Sequence, residues 1–221
     1  MKQTDFYYVR HGQTLFNLQR RLQGMCDSPL TEKGIRDAYR AELALREIPF
    51  DRAFCSSSER CVDTAAIVLE RHNVKASPMK GLKEIDFGDL DGSLFSEVRE
   101  EFELRKALDD FGEVGGETGE DIQRRIRRTF DEIAGRSLPG EKVLVVSHGS
   151  FGMHTLQTLF QMNTETFIAE RKKIDPDQYA FPNCGIMKFC RKNGEWILLE
   201  LPAEPEKFRD SSEEAQYPRI L

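Results

Sequence analysis

Apolar residues fall into two rhythms along this chain, short unbroken runs and longer stretches spaced three and four apart, and the two alternate. Phe6-Tyr7-Tyr8-Val9 is an aromatic and β-branched run that stops at Arg10-His11-Gly12, which predicts a buried strand running into a loop. Thr31-Glu32-Lys33-Gly34 followed by Ile35, Ala38, Ala41 and Leu45 predicts a capped amphipathic helix ending before Pro49. A second strand is expected over 52–56. The serines at 56 to 58 then open a helix that carries Arg60 in its first turn and reaches about His72. A third short strand is expected near 75–79. Ile122, Ile126, Phe130 and Ile133 mark one face of a helix that ends near Gly135. Val143-Leu144-Val145-Val146 is apolar without interruption, as in a strand buried on both faces of a parallel sheet, and it stops at Ser147-His148-Gly149. Helical spacing resumes over 151–160. Near the carboxyl end, apolar runs at 186–189 and 196–199 flank Asn193-Gly194, a dipeptide suited to a tight antiparallel hairpin.

Strands alternating with helices predict an α/β fold, a three-layer α/β/α sandwich on a mostly parallel central sheet. Such sheets place ligands beyond the carboxyl ends of their strands. Arg10, His11 and His148 fall at such ends, and Arg60 lies just past one. One domain is expected over 1–201, with a helical lid insertion at about 89–119. From 202 to 221 the composition shifts to Pro, Glu, Asp and Ser, which predicts a polar, exposed tail.

Charge and cysteine content narrow the function classes. The 221 residues carry 32 Lys plus Arg against 38 Asp plus Glu, a net charge of −6, so the basic excess of a nucleic-acid binder is missing and no nucleic-acid partner is expected. No apolar run approaches the ~20 residues that span a bilayer, and the amino terminus lacks the apolar core of a signal peptide, so no membrane partner and a cytoplasmic setting are expected. Five cysteines without a CxxC pair indicate reduced thiols rather than a disulfide framework or a zinc ribbon.

The chain has no Walker A sequence, no GxGxxG, no HExxH and no serine nucleophile elbow. It does carry histidines, arginines and a carboxylate where strands end. A phosphoryl group in transfer spreads negative charge over three oxygens, and catalysis consists mostly of holding that charge in line with a nucleophile. Arginine forks and protonated imidazoles suit the holding, and imidazole can attack phosphorus itself through a covalent phosphohistidine. Four histidines, with Arg10 directly beside His11, argue against a metal centre, so no metal and no cofactor are expected. His72 and His154 read as a surface helix end and a helix face.

Arg10-His11-Gly12-Gln13-Thr14 with Asn17 resembles the signature of the histidine phosphatase superfamily, which includes the cofactor-dependent phosphoglycerate mutases. Matches follow in order: Arg20 with Gln23-Gly24, Asp27-Ser28-Pro29-Leu30-Thr31 with Gly34, Ser56 to Arg60 with Thr64-Ala65, Glu84-Ile85 with Phe87-Gly88 and Gly92, Gly115 to Thr118, Val145 to Gly149, and Asn183. The resemblance implies a phosphoglycerate mutase-like fold with His11 as nucleophile. Arg10, Arg60 and His148 would cradle the phosphoryl oxygens, and Asn17, Gln23, Gly24 and Gly149 would line the substrate. Glu84 would be general acid and then base, which requires that it be partly protonated; Asp86, Asp89 and Asp91 are the neighbours expected to favour that, and Asp86 is its nearest competitor for the role.

The expected partner is a small-molecule phosphate ester, and nothing in the sequence speaks to oligomeric state. Residues 86–113 contain ten acids against Arg99, Arg105 and Lys106, a lid that would repel a bisphosphate. Phe16 also stands where the resemblance implies Trp in mutases. Hydrolysis of phosphate monoesters is therefore expected, with mutase-type phosphoryl transfer as the alternative and a non-catalytic phospholigand-binding protein as a third reading.

Overall fold

In the computed structural model, residues 3–174 and 180–208 are described. The elements in chain order are β1 (Gln3–Arg10), α1 (Leu15–Leu18), α2 (Glu32–Leu45), β2 (Arg52–Ser56), α3 (Glu59–Val68), β3 (Ala76–Met79), α4 (Phe95–Leu108), α5 (Gly119–Arg136), β4 (Lys142–Ser147), α6 (Gly149–Phe160), α7 (Thr164–Ile174), β5 (Ile186–Lys192) and β6 (Glu195–Ala203). The strands form one six-stranded sheet in the order β3-β2-β4-β1-β5-β6. The first four run parallel, while β5 is antiparallel to β1 and β6 to β5.

Strand alternation builds two cores. Phe6 and Tyr8 of β1 with Val143 and Val145 of β4 join Ile122, Ile126, Phe130 and Ile133 of α5 and Phe151 and Leu156 of α6. Tyr7, Val9, Leu144 and Val146 point the other way, onto Ala38, Ala41 and Leu45 of α2 and Cys61, Ala65 and Val68 of α3. The unbroken apolar run of β4 is thus explained by burial on both faces, and the three layers follow. Asn193 and Gly194 both adopt positive φ, 54° and 90°, the left-handed pair that a two-residue hairpin turn requires.

Several boundaries differ from expectation. α3 ends at Val68, four residues before His72, which instead rests against the Phe50 ring. The segment expected as a lid, about 89–119, holds a single α-helix, α4, followed by a short 3₁₀ turn at Gly112–Val114. Neither α1 nor α7 has an apolar periodicity long enough to announce it. The hairpin strands are longer than their apolar runs, and β6 reaches Ala203. Residues 202–205 therefore differ from the exposed tail expected from 202. Pro202, Ala203 and Pro205 are buried, the 3₁₀ turn Pro205–Phe208 packs on α2, and Arg40 pairs with Glu206. Residues 209–221 lie outside the described residues. Among the described residues no helix is long and apolar enough to cross a membrane.

Candidate active site

β1 and β4 are adjacent and parallel with Arg10 opposite Ser147, so His11 and His148 emerge side by side past the sheet's carboxyl edge. The His11 amide donates to the Ser147 carbonyl. The two rings meet edge to face with centroids 5.3 Å apart, and both residues are buried. Gly12 lies so close to the start of α2 that a Cβ there would sit 2.6 Å from the Gly34 carbonyl oxygen. Thr64 on α3 accepts from the Gly12 amide.

Hydrogen bonds fix both tautomers. His11 Nδ1 lies 2.8 Å from the Gly12 carbonyl oxygen, which can only accept, so Nδ1 carries the proton and the neutral ring keeps its lone pair on Nε2. Arg60 Nη2 lies 3.0 Å from His148 Nδ1 and can only donate, so the proton of His148 is on Nε2, which donates to Ser56 Oγ at 2.8 Å. Burial, then the charges of Arg60 and Arg10, hold His11 well below its usual 6.5. Burial and Arg60, followed by His11, Arg10 and Arg125, do the same to His148. This disfavours the protonated form of His148 and leaves the positive charge of the cradle to the arginines.

Arg60 is wholly buried. Nη1 donates to the Cys26 carbonyl and to Asp27 Oδ1, Nη2 donates to the Gly24 carbonyl as well as to His148, and Nε has no partner among the described residues. Arg10 donates from Nη1 to the Phe181 carbonyl, and a Cβ at Gly149 would come within 3.1 Å of its Nε. Gly24 is equally confined, since its Cβ would meet the Ile85 carbonyl oxygen at 2.3 Å and Asp91 Oδ1 at 2.6 Å. Asn17 Oδ1 accepts from Thr14 N, closing the capping box of α1, and from Asn183 Nδ2, which also donates to the His11 carbonyl. The Gln23 amide is tied to Thr14 and Ser28, so its polar end holds the loop. Arg21, rather than the exposed Arg20, braces the lid by donating to the Gly92 carbonyl.

Glu84 is buried with its carboxylate against the first turn of α6. Oε1 accepts from the amides of Ile85 and Phe151, and Oε2 from Ser150. The acids expected around it face elsewhere: Asp86 accepts from Gly88, Asp91 accepts from Gly24 and Met25, and Asp89 is exposed. Its surroundings are N–H donors at the positive end of a helix, one residue beyond His148.

Other contacts carried no sequence signal. Tyr8 donates to the His148 carbonyl and accepts from its amide across 140 positions. Cys61 Sγ lies 3.5 Å from His148 Nε2, and burial pushes its thiol well above 9.0. His154, expected to be a bland helix face, lies on α6 with Nε2 3.2 Å from Asp109 at the end of the lid helix. Among the described residues no three His, Cys, Asp or Glu side chains converge as metal ligands.

The family model described as histidine phosphatase superfamily (branch 1) matches residues 6–203. The chain belongs to the histidine phosphatase superfamily. It is an enzyme of the phosphatase and phosphoglycerate mutase group. Among superfamily relatives, a protein named probable phosphoglycerate mutase GpmB from Erwinia tasmaniensis is 32% identical over 197 residues, covering 86% of each chain. The solved Bacillus stearothermophilus YhfR is 27% identical, with a TM-score of 0.75 over 89% of this chain and 96% of that one. A phosphoserine phosphatase of Entamoeba histolytica, solved with phosphoserine, shares the fold at 23% identity and a TM-score of 0.72, over 91% and 98%.

Proposed function

We propose that this superfamily member hydrolyses small phosphate monoesters through a phosphohistidine on His11. The observation that carries the reading is the fixed tautomer of His11: with Nδ1 committed to the Gly12 carbonyl and the ring kept neutral, Nε2 presents its lone pair beside Arg10, Arg60 and His148. The unpartnered Nε–H of Arg60 is a buried donor suited to a phosphoryl oxygen. In the first step the N–P bond forms as the bond from phosphorus to the leaving oxygen breaks, and Glu84 in its protonated form gives that oxygen a proton. In the second, water adds to phosphorus, the N–P bond breaks, and Glu84 takes the proton back. Glu84 is proposed for this role from its burial against the helix that follows His148; among the described residues the other buried acids, Asp37 and Glu42, are paired with basic residues on or just past α2.

Hydrolysis is favoured over transfer to a second substrate by the lid. All three of its basic residues are engaged, Arg105 with Glu101 and Glu113, Lys106 with Glu103, and Arg99 over the Phe95 ring. The acids of this segment outnumber them, which disfavours a second phosphate. The mutase reading rests on the names of several relatives, among them ones 32% and 34% identical that are called phosphoglycerate mutases. Inorganic phosphate release from an aryl phosphate, measured beside isomerisation of 3-phosphoglycerate, tests the choice. Release with an acid-labile, His11-dependent phosphoenzyme is expected; efficient isomerisation with little release would reverse it.

A further inference from the structure

Resting on that reading, we infer that Arg125 and Glu117 form a positioning clamp that holds Glu84 in register with the His11–His148 pair. Arg125 projects from α5, and its side chain reaches the segment that carries Glu84, 41 positions away. Nη1 donates to the carbonyls of Gly81 and Lys83, and Nη2 donates to the carbonyl of Glu84 itself. The same guanidinium is gripped by both carboxylate oxygens of Glu117, at 2.7 Å from Nε and 2.6 Å from Nη2. Glu117 then closes the loop from the other side: its Oε2 accepts from the Asp86 amide and its own amide donates to the Asp86 carbonyl.

The backbone from 81 to 86 is thus held at four points by one ion pair. The segment has no regular structure beyond the 3₁₀ turn at Lys80–Leu82, and no strand partner supplies those bonds. The face of the guanidinium rests on the Phe151 ring at 5.0 Å, and the Phe151 amide is one of the donors to the Glu84 carboxylate. Arg125 therefore sets both ends of the Glu84 geometry, its backbone directly and its carboxylate through Phe151. Both partners are less than a fifth exposed, so the pair is shielded and the fork geometry counts. Lysine could keep the charge but could not reach three carbonyls and a bidentate carboxylate together.

A clamp on a general acid has a signature that loss of stability alone does not share. An aryl phosphate with an acidic phenol leaves without help, whereas an alkyl or unactivated phenyl phosphate needs the proton, so misplacing Glu84 steepens the dependence of rate on leaving-group basicity. The experiment measures kcat/KM for p-nitrophenyl, phenyl and alkyl phosphates in wild type, Glu84→Gln, Arg125→Lys and Glu117→Gln, with thermal melting of each. Glu84→Gln should steepen the series, and the two clamp variants should follow it, losing at least about ten times more activity on phenyl phosphate than on p-nitrophenyl phosphate. If Glu84→Gln steepens the series while clamp variants of native melting temperature lower all substrates equally or leave them unchanged, the clamp is overturned and the acid assignment survives. If Glu84→Gln itself leaves the slope unchanged, the acid assignment falls and the clamp with it. Glu117→Gln keeps side-chain shape and one acceptor for Asp86, so it reads the same slope should Arg125→Lys fail to fold.

Discussion

Arg60 Nη2 and His148 Nδ1 lie 3.0 Å apart in a buried contact, and the direction of that bond orders the rest of the site. A guanidinium offers only protons, so the imidazole must accept, and its other nitrogen must then donate to the Ser56 hydroxyl. Removing the arginine would leave the carbonyls of Gly24 and Cys26 without this donor, and the Asp27 carboxylate with only the amides of Ser28 and Glu59. Arg60→Met is expected to cost about 1–3 kcal/mol of stability, since the carbonyls it serves lose their donor while Asp27 is exposed to water, and to lower kcat/KM at least about a hundredfold. Arg60→Lys should recover part of the stability and little of the activity. Urea denaturation beside steady-state kinetics checks both.

The two confined glycines separate backbone from side-chain effects. At Gly24 an added methyl meets the Ile85 backbone at 2.3 Å, and no rotamer can relieve it. Gly24→Ala should destabilise by about 1–3 kcal/mol, through overpacking, while weakening substrate binding. At Gly149 the obstacle is the Arg10 side chain at 3.1 Å, which can swing away from its working position. Gly149→Ala should leave stability within about 1 kcal/mol of wild type yet lower kcat/KM by roughly ten- to a hundredfold, because a catalytic group is displaced. A fall in melting temperature at Gly149 as large as that at Gly24 would contradict the distinction.

What could be read in the sequence was what repeats or stops abruptly. β1 and β4 were legible because double burial leaves no polar position to interrupt the run, and His11 and His148 were legible because they sit where those runs end. Arg60 followed from its place one turn into α3. The contacts of Gln23 with Thr14 and Ser28 could not be read, since both are made by the folding of one loop. The neutrality of His148 could not be read, because it depends on Arg60 approaching from 88 positions away. Arg125, Tyr8 and His154 were invisible for the same reason: each lies on a face that periodicity assigns correctly, but its partner comes from a distant part of the chain.

Ser56 accepts the Nε2 proton of His148 and also accepts from the Ser58 amide, so its hydroxyl holds the ring at the nitrogen opposite Arg60. Ser56→Ala leaves a buried N–H with only the weak sulfur acceptor of Cys61, an expected cost of about 1–3 kcal/mol. The ring is then held through Nδ1, the Cys61 contact and the Tyr8 contact to its backbone. Turnover should fall while Ser56→Thr, which keeps the hydroxyl, retains most of it. Equal losses for Ala and Thr would show that volume, not the hydrogen bond, is what matters at this position.

The buried histidines also give stability a definite pH dependence. His11 and His148 are held below 6.5 by burial and by Arg60, so on acidification the unfolded chain takes up protons at 6.5 that the native state refuses. The unfolded state then binds more protons, and stability must fall as pH drops through 6.5, by up to about 1.4 kcal/mol per pH unit for each histidine until its native pKa is reached. His154 works in the opposite sense. Burial would lower it, but its hydrogen bonds to Asp109 and the Ser150 carbonyl outweigh that and raise it, so it stabilises the native state in acid and that contribution is lost as pH rises through its native pKa. Urea midpoints between pH 7.5 and 5.0 should therefore drop for wild type, drop less for His11→Gln, and drop more for His154→Gln. Since the nucleophile is active when neutral, the acid limb of kcat/KM that belongs to His11 should lie below 6.5. A limb above 6.5 that disappears in no other single variant would mean that His11 is more exposed to solvent, and less governed by Arg60, than this arrangement requires.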